Sequence, residues 1–310
     1  MELIKSKFSI KDLENLSGIK AHTIRIWEKR YNLLEPERTE TNIRYYSNES
    51  LQKLLNIALL NKYGMKISKI AKLTDEQIVK ESNALINENA TKALAINSFK
   101  IAMYNFDTIL FNKTYNDLIE KFSFQEVFSN YFIPFLEELG LLWQTDTISP
   151  ANEHFISALI KQKVLLEIEK IQYREPLHKE EVFILFLPDQ EIHDLGLIYV
   201  HYLLLSRGFK SIYLGQSIPI ENLSGFKELF NKITFISYFT VKPSVQKITN
   251  YITDLNEKII KLCDCKLWIM GRKTTEIEIT DLPQSTEIIT KISDFIKKQE
   301  YLIKNKIEAS

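Results

Sequence analysis

Hydrophobic positions change their period twice along the chain, and the changes mark three stretches. Residues 1–75 show short helical periods broken by small turns, 85–175 keep a helical period almost throughout, and 180–300 alternate strand-length apolar runs with helical ones. In the first stretch Ile10, Leu13 and Leu16 share one helical face behind Ser9, a predicted N-cap, and Gly18 supplies a turn. The next helix, about 21–31, turns Ile24, Trp27 and Tyr31 inward and leaves His22, Thr23, Arg25, Lys29 and Arg30 on or near its outer face. Pro36 stops regular structure. Arg38 and Arg44 then flank a loop able to form a β-hairpin wing, closed by Arg44-Tyr45-Tyr46. Ser47 or Asn48 caps a helix over 49–63, with Leu51, Leu54, Leu55, Ala58 and Leu59 at core spacing; Gly64 ends it, and 66–73 begin another short helix.

In the middle stretch Trp143 ends one helix, and Ser149-Pro150 opens the next. Glu153-His154 follow Trp143 after nine residues, in the first turns of that second helix. The three side chains are placed to converge at one end of a helical bundle, an indole over a planar ligand with polar groups at its edge. Ordinary packing and surface is the competing reading. The last stretch predicts strands over 180–188, 210–215, 232–239 and 266–271, with helical segments over 194–208, 217–232 and 243–259. Buried strands alternating with helices specify a doubly wound parallel sheet, which takes ligands at the carboxyl ends of its strands. That edge holds PDQEIHDLG (188–196). There the His193 imidazole can point out of the sheet and ligate a metal, with Glu191 or Asp194 accepting its other N–H; a merely solvated loop histidine is the alternative.

Composition narrows this picture. The 310 residues suit two or three domains, and the polar segments 87–94 and 172–181 are the predicted linkers, giving domains 1–78, 85–175 and 179–302. The 40 basic and 40 acidic residues cancel overall, yet residues 1–75 hold 14 basic against 9 acidic, a local excess compatible with phosphate contact. Only Cys263 and Cys265 are present, two positions apart, so neither a disulfide framework nor a four-ligand zinc site is available. No leader-like segment and no membrane-length apolar run is evident, so a cytoplasmic protein with no membrane partner is expected.

The run IKDLENLSGIKAHTIRIWEKRYNLLEPERTETNIRYYS resembles the DNA-binding domain of the MerR family, in its early helix-turn-helix, its R-x-WEKRY core, its Pro-x-R wing and its closing N-x-R-Y-Y. The resemblance implies phosphate or base contacts on double-stranded DNA from His22, Thr23, Arg25, Lys29, Tyr31, Arg38, Arg44 and Tyr45, with Trp27 and Leu34 in the core. A small helical domain with a solvated basic face is the bland alternative. Trp-x9-Glu-His looks like the motif of the four-helix bundle in cobalamin-dependent, light-responsive MerR-type repressors. There it implies that Trp143, Glu153 and His154 cover the upper face of adenosylcobalamin. Members that switch by bis-histidine ligation have a histidine directly after the tryptophan, where this chain has Gln144.

E-x-H-D-x-G is similar to the (D/E)-x-H-x-x-G signature of cobalamin-binding Rossmann-like domains. It implies His193 as the lower axial cobalt ligand, with Glu191, Asp194 and Gly196 around the cofactor. Ser237 matches the serine of that family's S-x-L element, with Phe239 in place of its leucine; Gly271 matches the first position of its Gly-Gly, and Arg272 departs from the second. The expected protein is therefore multi-domain α and α/β: a winged helix-turn-helix, a four-helix bundle and a Rossmann-like doubly wound parallel sheet. The implied role is a cobalamin-responsive, light-responsive repressor, a homo-oligomer (dimer or tetramer) and not an enzyme, with carotenoid genes among its targets. A DNA-binding head on a cobalamin-free scaffold, or a corrinoid enzyme module, are the alternatives.

Overall fold

The computed structural model describes residues 7–85, 88–263, 265–277 and 282–308. The chain divides into two compact units, Met1–Ile160 and Lys161–Ser310. The first unit opens with α1 (Ile10–Ser17) and α2 (Ala21–Tyr31), then the antiparallel hairpin β1 (Glu37–Arg38) and β2 (Arg44–Tyr45), and α3 (Asn48–Lys62). Ser9 starts α1 through a reciprocal cap: its hydroxyl accepts from the Asp12 N–H (3.2 Å), and the Asp12 carboxylate accepts from the Ser9 N–H (2.8 Å). Such a cap contributes about 1 kcal/mol. Gly18 then turns the chain at φ 72°, which side chains resist. Leu13, Leu16, Ile24, Trp27, Leu33 and Leu34 close the core of this head with Phe8 and Tyr46, whose backbones bridge.

The short helices α4 (Ile67–Ile70) and α5 (Asp75–Asn83) follow, then α6 (Glu88–Asn105), α7 (Thr108–Ile119), α8 (Phe124–Val127), α9 (Ile133–Gln144) and α10 (Pro150–Glu169). The helix expected over 66–73 is thus a single turn. The stretch expected as a linker at 87–94 is helical from Glu88, residue 87 lying outside the described residues. Its polar look conceals Ala90, which is buried, among alanines that favour helix. A π-helical turn, Phe128–Phe132, leads into α9 where Pro134 offers no N–H to the helical ladder. Phe99, Phe111, Tyr115, Phe132 and Phe135 fill the bundle, with Phe99 and Phe111 centroids 5.2 Å apart.

The second unit holds the sheet: β3 (His178–Phe186), β4 (Phe209–Gly215), β5 (Ile233–Tyr238), β6 (Lys266–Met270) and β7 (Thr286–Ile288), all parallel in the order β4-β3-β5-β6-β7. Helices α11 (Leu195–Ser206), α12 (Val245–Lys258) and α13 (Ile292–Glu308) complete it. Strand β7 and helix α13 add to the elements the sequence pattern marked. Residues 217–232, expected as turn plus helix, form a 3-10 helix over Ile220–Glu228 that follows Pro219 and contains Gly225, both poor material for an α-helix. The chain leaves β3 for β4 on one side and β5 on the other, so the strand order reverses between β3 and β5. A crevice opens at the carboxyl ends of two such strands. Cys263 and Cys265 bridge one another, a local link and not a framework.

Candidate functional site

The head presents a cationic outer face. On α2, His22, Arg25, Lys29 and Arg30 are exposed, while Ile24 and Trp27 are buried. Tyr31, expected inside, is half-buried, with the Arg30 guanidinium 5.5 Å from its ring centre. Thr23 is half-buried too. No acidic side chain stands in the first turn of α2, and Lys29 and Arg30 occupy its last. In the wing, Arg38 donates to the Asn42 side-chain oxygen (2.6 Å), Arg44 is exposed, and the Tyr45 hydroxyl donates to Glu37 (2.7 Å) while Lys7 lies 4.3 Å over its ring. Sequence reasoning missed Glu28. Its carboxylate accepts from the buried Tyr46 hydroxyl and so ties the wing's closing strand to α2. Burial, then that carboxylate, push the Tyr46 pKa well up. With Glu28 engaged inward, the exposed side chains of α2 include Arg25, Lys29 and Arg30, residue types able to meet phosphates and guanine edges.

In the same unit Trp143 ends α9 and is 48% exposed. Glu153 and His154 stand in the first turn of α10, with the His154 Nε2 3.7 Å from Glu153, and Glu153 accepting from the Ser157 hydroxyl (2.7 Å). Ser149 and Asn152 cap α10 reciprocally, the Ser149 hydroxyl donating to Asn152 Oδ1 at 2.6 Å. The connection between α9 and α10 is anchored by Thr147. This residue is buried, accepts from the Asn15 side chain (2.9 Å) through its hydroxyl, and accepts from the Tyr104 hydroxyl (3.3 Å) through its carbonyl.

At the strand-order reversal of the second unit, Glu191 is fully buried on the loop after β3. One carboxylate oxygen accepts from the backbone N–H of Ile192 (2.9 Å) and His193 (3.0 Å) and from His193 Nδ1 (2.5 Å). The other accepts from the N–H of Val241 (2.6 Å) and Lys242 (2.7 Å), beyond β5. One side chain thus stitches the two loops that bound the crevice. Burial pushes the Glu191 pKa up, but the amides of Lys242, His193 and Val241 outweigh it and hold the carboxyl at about 2. A carboxylate can only accept, so Nδ1 carries the hydrogen, and in the neutral ring Nε2 keeps its lone pair. The ring's side chain is half exposed. Asp194, the other candidate for orienting the ring, is engaged elsewhere: it accepts from Lys161 Nζ (2.7 Å) and the Tyr213 hydroxyl (3.0 Å).

Residues 8–77 match the family described as MerR HTH family regulatory protein, and residues 95–166 match the B12 binding domain. The HTH-type transcriptional repressor CarH of Myxococcus xanthus is 23% identical over 83% of this chain and 86% of its own length. CarA of the same organism, also an HTH-type transcriptional repressor, is 25% identical over 70% of each chain. The chain is a MerR-type regulator with a B12-binding domain, homologous to both repressors. The monomethylamine corrinoid protein of Methanosarcina barkeri shares the fold, with a TM-score of 0.50 at 15% identity over 67% of this chain and 93% of that one.

The edge of this regulator's sheet suits a corrinoid in several respects. His193 offers Nε2. Ser237, at the end of β5, is fully buried with a hydroxyl that has no partner among the described residues. Gly271 sits at φ 103°, where a Cβ would stand 2.4 Å from the Phe239 carbonyl oxygen, so only glycine fits. Arg272, which replaces the second glycine of the resembled pair, is exposed. Among the described residues no three His, Cys, Asp or Glu side chains gather to hold a metal ion. No helix among the described residues is long and apolar enough to cross a membrane.

Proposed function

We propose that this protein is a transcriptional repressor that grips double-stranded DNA through α2 and the wing and is governed by bound adenosylcobalamin, with light as the releasing signal. The observation that carries the reading is the imidazole of His193, fixed by a buried carboxylate at the strand-order reversal of a chain whose other end is a MerR-type head. Arg25, Lys29, Arg38 and Arg44 supply phosphate and base contacts, with His22, Thr23, Tyr31 and Tyr45 beside them. His193 would hold the cobalt through Nε2, and Glu191 fixes the tautomer that leaves that nitrogen free to do so. Trp143, Glu153 and His154 are the corrinoid-facing residues of the helical unit, and Ser237, Gly196 and Gly271 those of the sheet. Adenosylcobalamin, when bound, supplies a light-sensitive bond between metal and carbon. Assembly into a homo-oligomer and carotenoid genes as targets complete the proposal, as does a cytoplasmic location without catalytic activity.

The test is reconstitution in darkness. Purified protein desalted after incubation with adenosylcobalamin should retain the cofactor's absorption, and His193→Ala should change that spectrum. Mobility shift of promoter DNA should require the cofactor and fall after illumination. Gln144, exposed and a poor cobalt ligand, favours a second reading in which the head responds to another input. DNA binding indifferent to both cobalamin and light would establish it.

A further inference from the structure

One side chain of the crevice does not fit a roomy corrinoid seat. Gly196 lies in the first turn of α11, three residues after His193, and a Cβ built on it would stand 2.4 Å from Cζ, 2.7 Å from Cε1 and 2.8 Å from the hydroxyl of Tyr238. The phenol end of Tyr238, the last residue of β5, therefore stands against Gly196. Its neighbour Ser237 keeps a buried, unpartnered hydroxyl, and Gly271 at the end of β6 adds a second position with no side chain. At the carboxyl ends of β5 and β6 the Gly271 position is closed by the Phe239 backbone, while at the first turn of α11 what stands against the glycine is the Tyr238 side chain.

Resting on the reading that His193 ligates cobalt, the chemistry of the ligand says what that ring meets. Cobalamin carries its own lower base on a nucleotide tether. If the His193 imidazole takes the lower position, the base is displaced, but its tether keeps it on the same side of the ring, among the residues around His193. We infer that Tyr238 is a specificity-determining residue for the corrinoid: its phenol occupies space that the tethered nucleotide needs, so that cobalamin must displace it and a corrinoid without the nucleotide need not. The ring is the far end of a side chain with two rotatable bonds, so displacement is a rotamer change and not a refolding of the sheet.

The experiment titrates the full chain with aquocobalamin and, separately, with diaquocobinamide, the same macrocycle without the nucleotide, following absorption. Tyr238→Ala should tighten aquocobalamin by about tenfold, a shift of about 1.4 kcal/mol, while diaquocobinamide changes by less than about threefold. Tyr238→Phe, which keeps the ring, should behave as the unaltered protein. Should Tyr238→Ala unfold the sheet, as far-ultraviolet circular dichroism would show, Tyr238→Leu carries the same expectation. An unchanged ratio of the two dissociation constants on removing the ring overturns the inference while leaving the cobalamin reading intact. A Tyr238→Phe variant that behaves like Tyr238→Ala overturns it as well, since the hydroxyl would then be the operative group. Failure of every protein to bind either corrinoid overturns both.

Discussion

Lowering the pH from 7 to 5 should weaken the sheet unit through His201. This residue lies on α11, half-buried against the Tyr213 ring (centroids 5.8 Å apart), with its Nδ1 2.8 Å from the Ser211 hydroxyl on β4. Burial pushes its pKa down from 6.5 to about 4. The folded protein therefore holds this proton more weakly than the unfolded chain does. Stability from the neutral ring is complete above about pH 6.5 and is lost as the pH falls towards 4. Over the full window the linkage amounts to about 3 kcal/mol, of which about 2 kcal/mol falls between pH 7 and pH 5. Glu191, held at about 2, loses its share only below the ordinary carboxylate value of 4.5, so it does not contribute to the loss between 7 and 5. Urea unfolding followed by tryptophan fluorescence at the two pH values measures it, with His201→Phe as the control that cannot titrate. Equal losses for the variant and the unaltered protein would refute the reasoning, because the acid sensitivity would then belong to another group.

Glu191→Ala leaves the N–H groups of Ile192, His193, Val241 and Lys242 without their acceptor, and should cost about 3 kcal/mol in denaturant unfolding at pH 7. The same variant should scramble the His193 tautomer, visible in nitrogen-15 imidazole spectra; an unchanged tautomer would show that Glu191 does not set it. Lys100, buried on α6, pairs with Glu138 and donates to the Leu16 carbonyl at the end of α1 (3.3 Å). Lys100→Met keeps the stem and removes both contacts, for an expected loss of about 2 kcal/mol; a loss below about 0.5 kcal/mol would mean that the pair merely offsets its own desolvation. Arg25→Ala should weaken DNA binding, lowering the salt dependence of affinity for random duplex by about one unit of slope if Arg25 meets a phosphate, and relaxing sequence preference instead if it meets a base.

Much of this was legible because local chemistry and tertiary structure agree. Ser9, Gly18 and the spacing of Leu13 and Leu16 specify α1 and the turn after it without help from the rest of the chain. Likewise the fully apolar run Val182–Phe186 specifies a strand covered on both faces. Tyr31 was misplaced because a period of 3.6 fixes a face only to within a residue, and Leu33 and Leu34 beyond the helix end took the burial expected of it. Strand order leaves no trace in a string of similar apolar runs, so nothing in the sequence said that β3 and β5 would be neighbours. For that reason the partner of His193 stayed undecided between Glu191 and Asp194. Glu191 is chosen by the amides of Val241 and Lys242, some fifty positions away, and Asp194 is drawn off by Lys161 and Tyr213. Tyr238 was hidden for the same reason, since its meaning lies in facing a glycine on another element.

The first unit shows how its two motifs are joined. Asn15 on α1 reaches Thr147, whose hydroxyl is also 2.8 Å from that of Thr145, and Thr145 bonds in turn to the Leu141 and Leu142 carbonyls in the last turn of α9. Phe8, which bridges to the wing's closing Tyr46, packs edge-on against Tyr104 at 5.0 Å, and Tyr104 donates to the same Thr147. The helix end that carries Trp143 is therefore linked through two threonines to the scaffold helix of the DNA-binding head, while every outward residue of α2 is left free of that linkage. A displacement of this connection by more than an ångström has to break the Asn15 contact or carry α1 with it, since a hydrogen bond tolerates little stretch. One or two such bonds correspond to about 1–3 kcal/mol, the range in which a coupling between two sites alters affinity several-fold to a hundredfold. A ligand that moves Trp143 therefore acts on the head through named contacts, and not through a flexible tether.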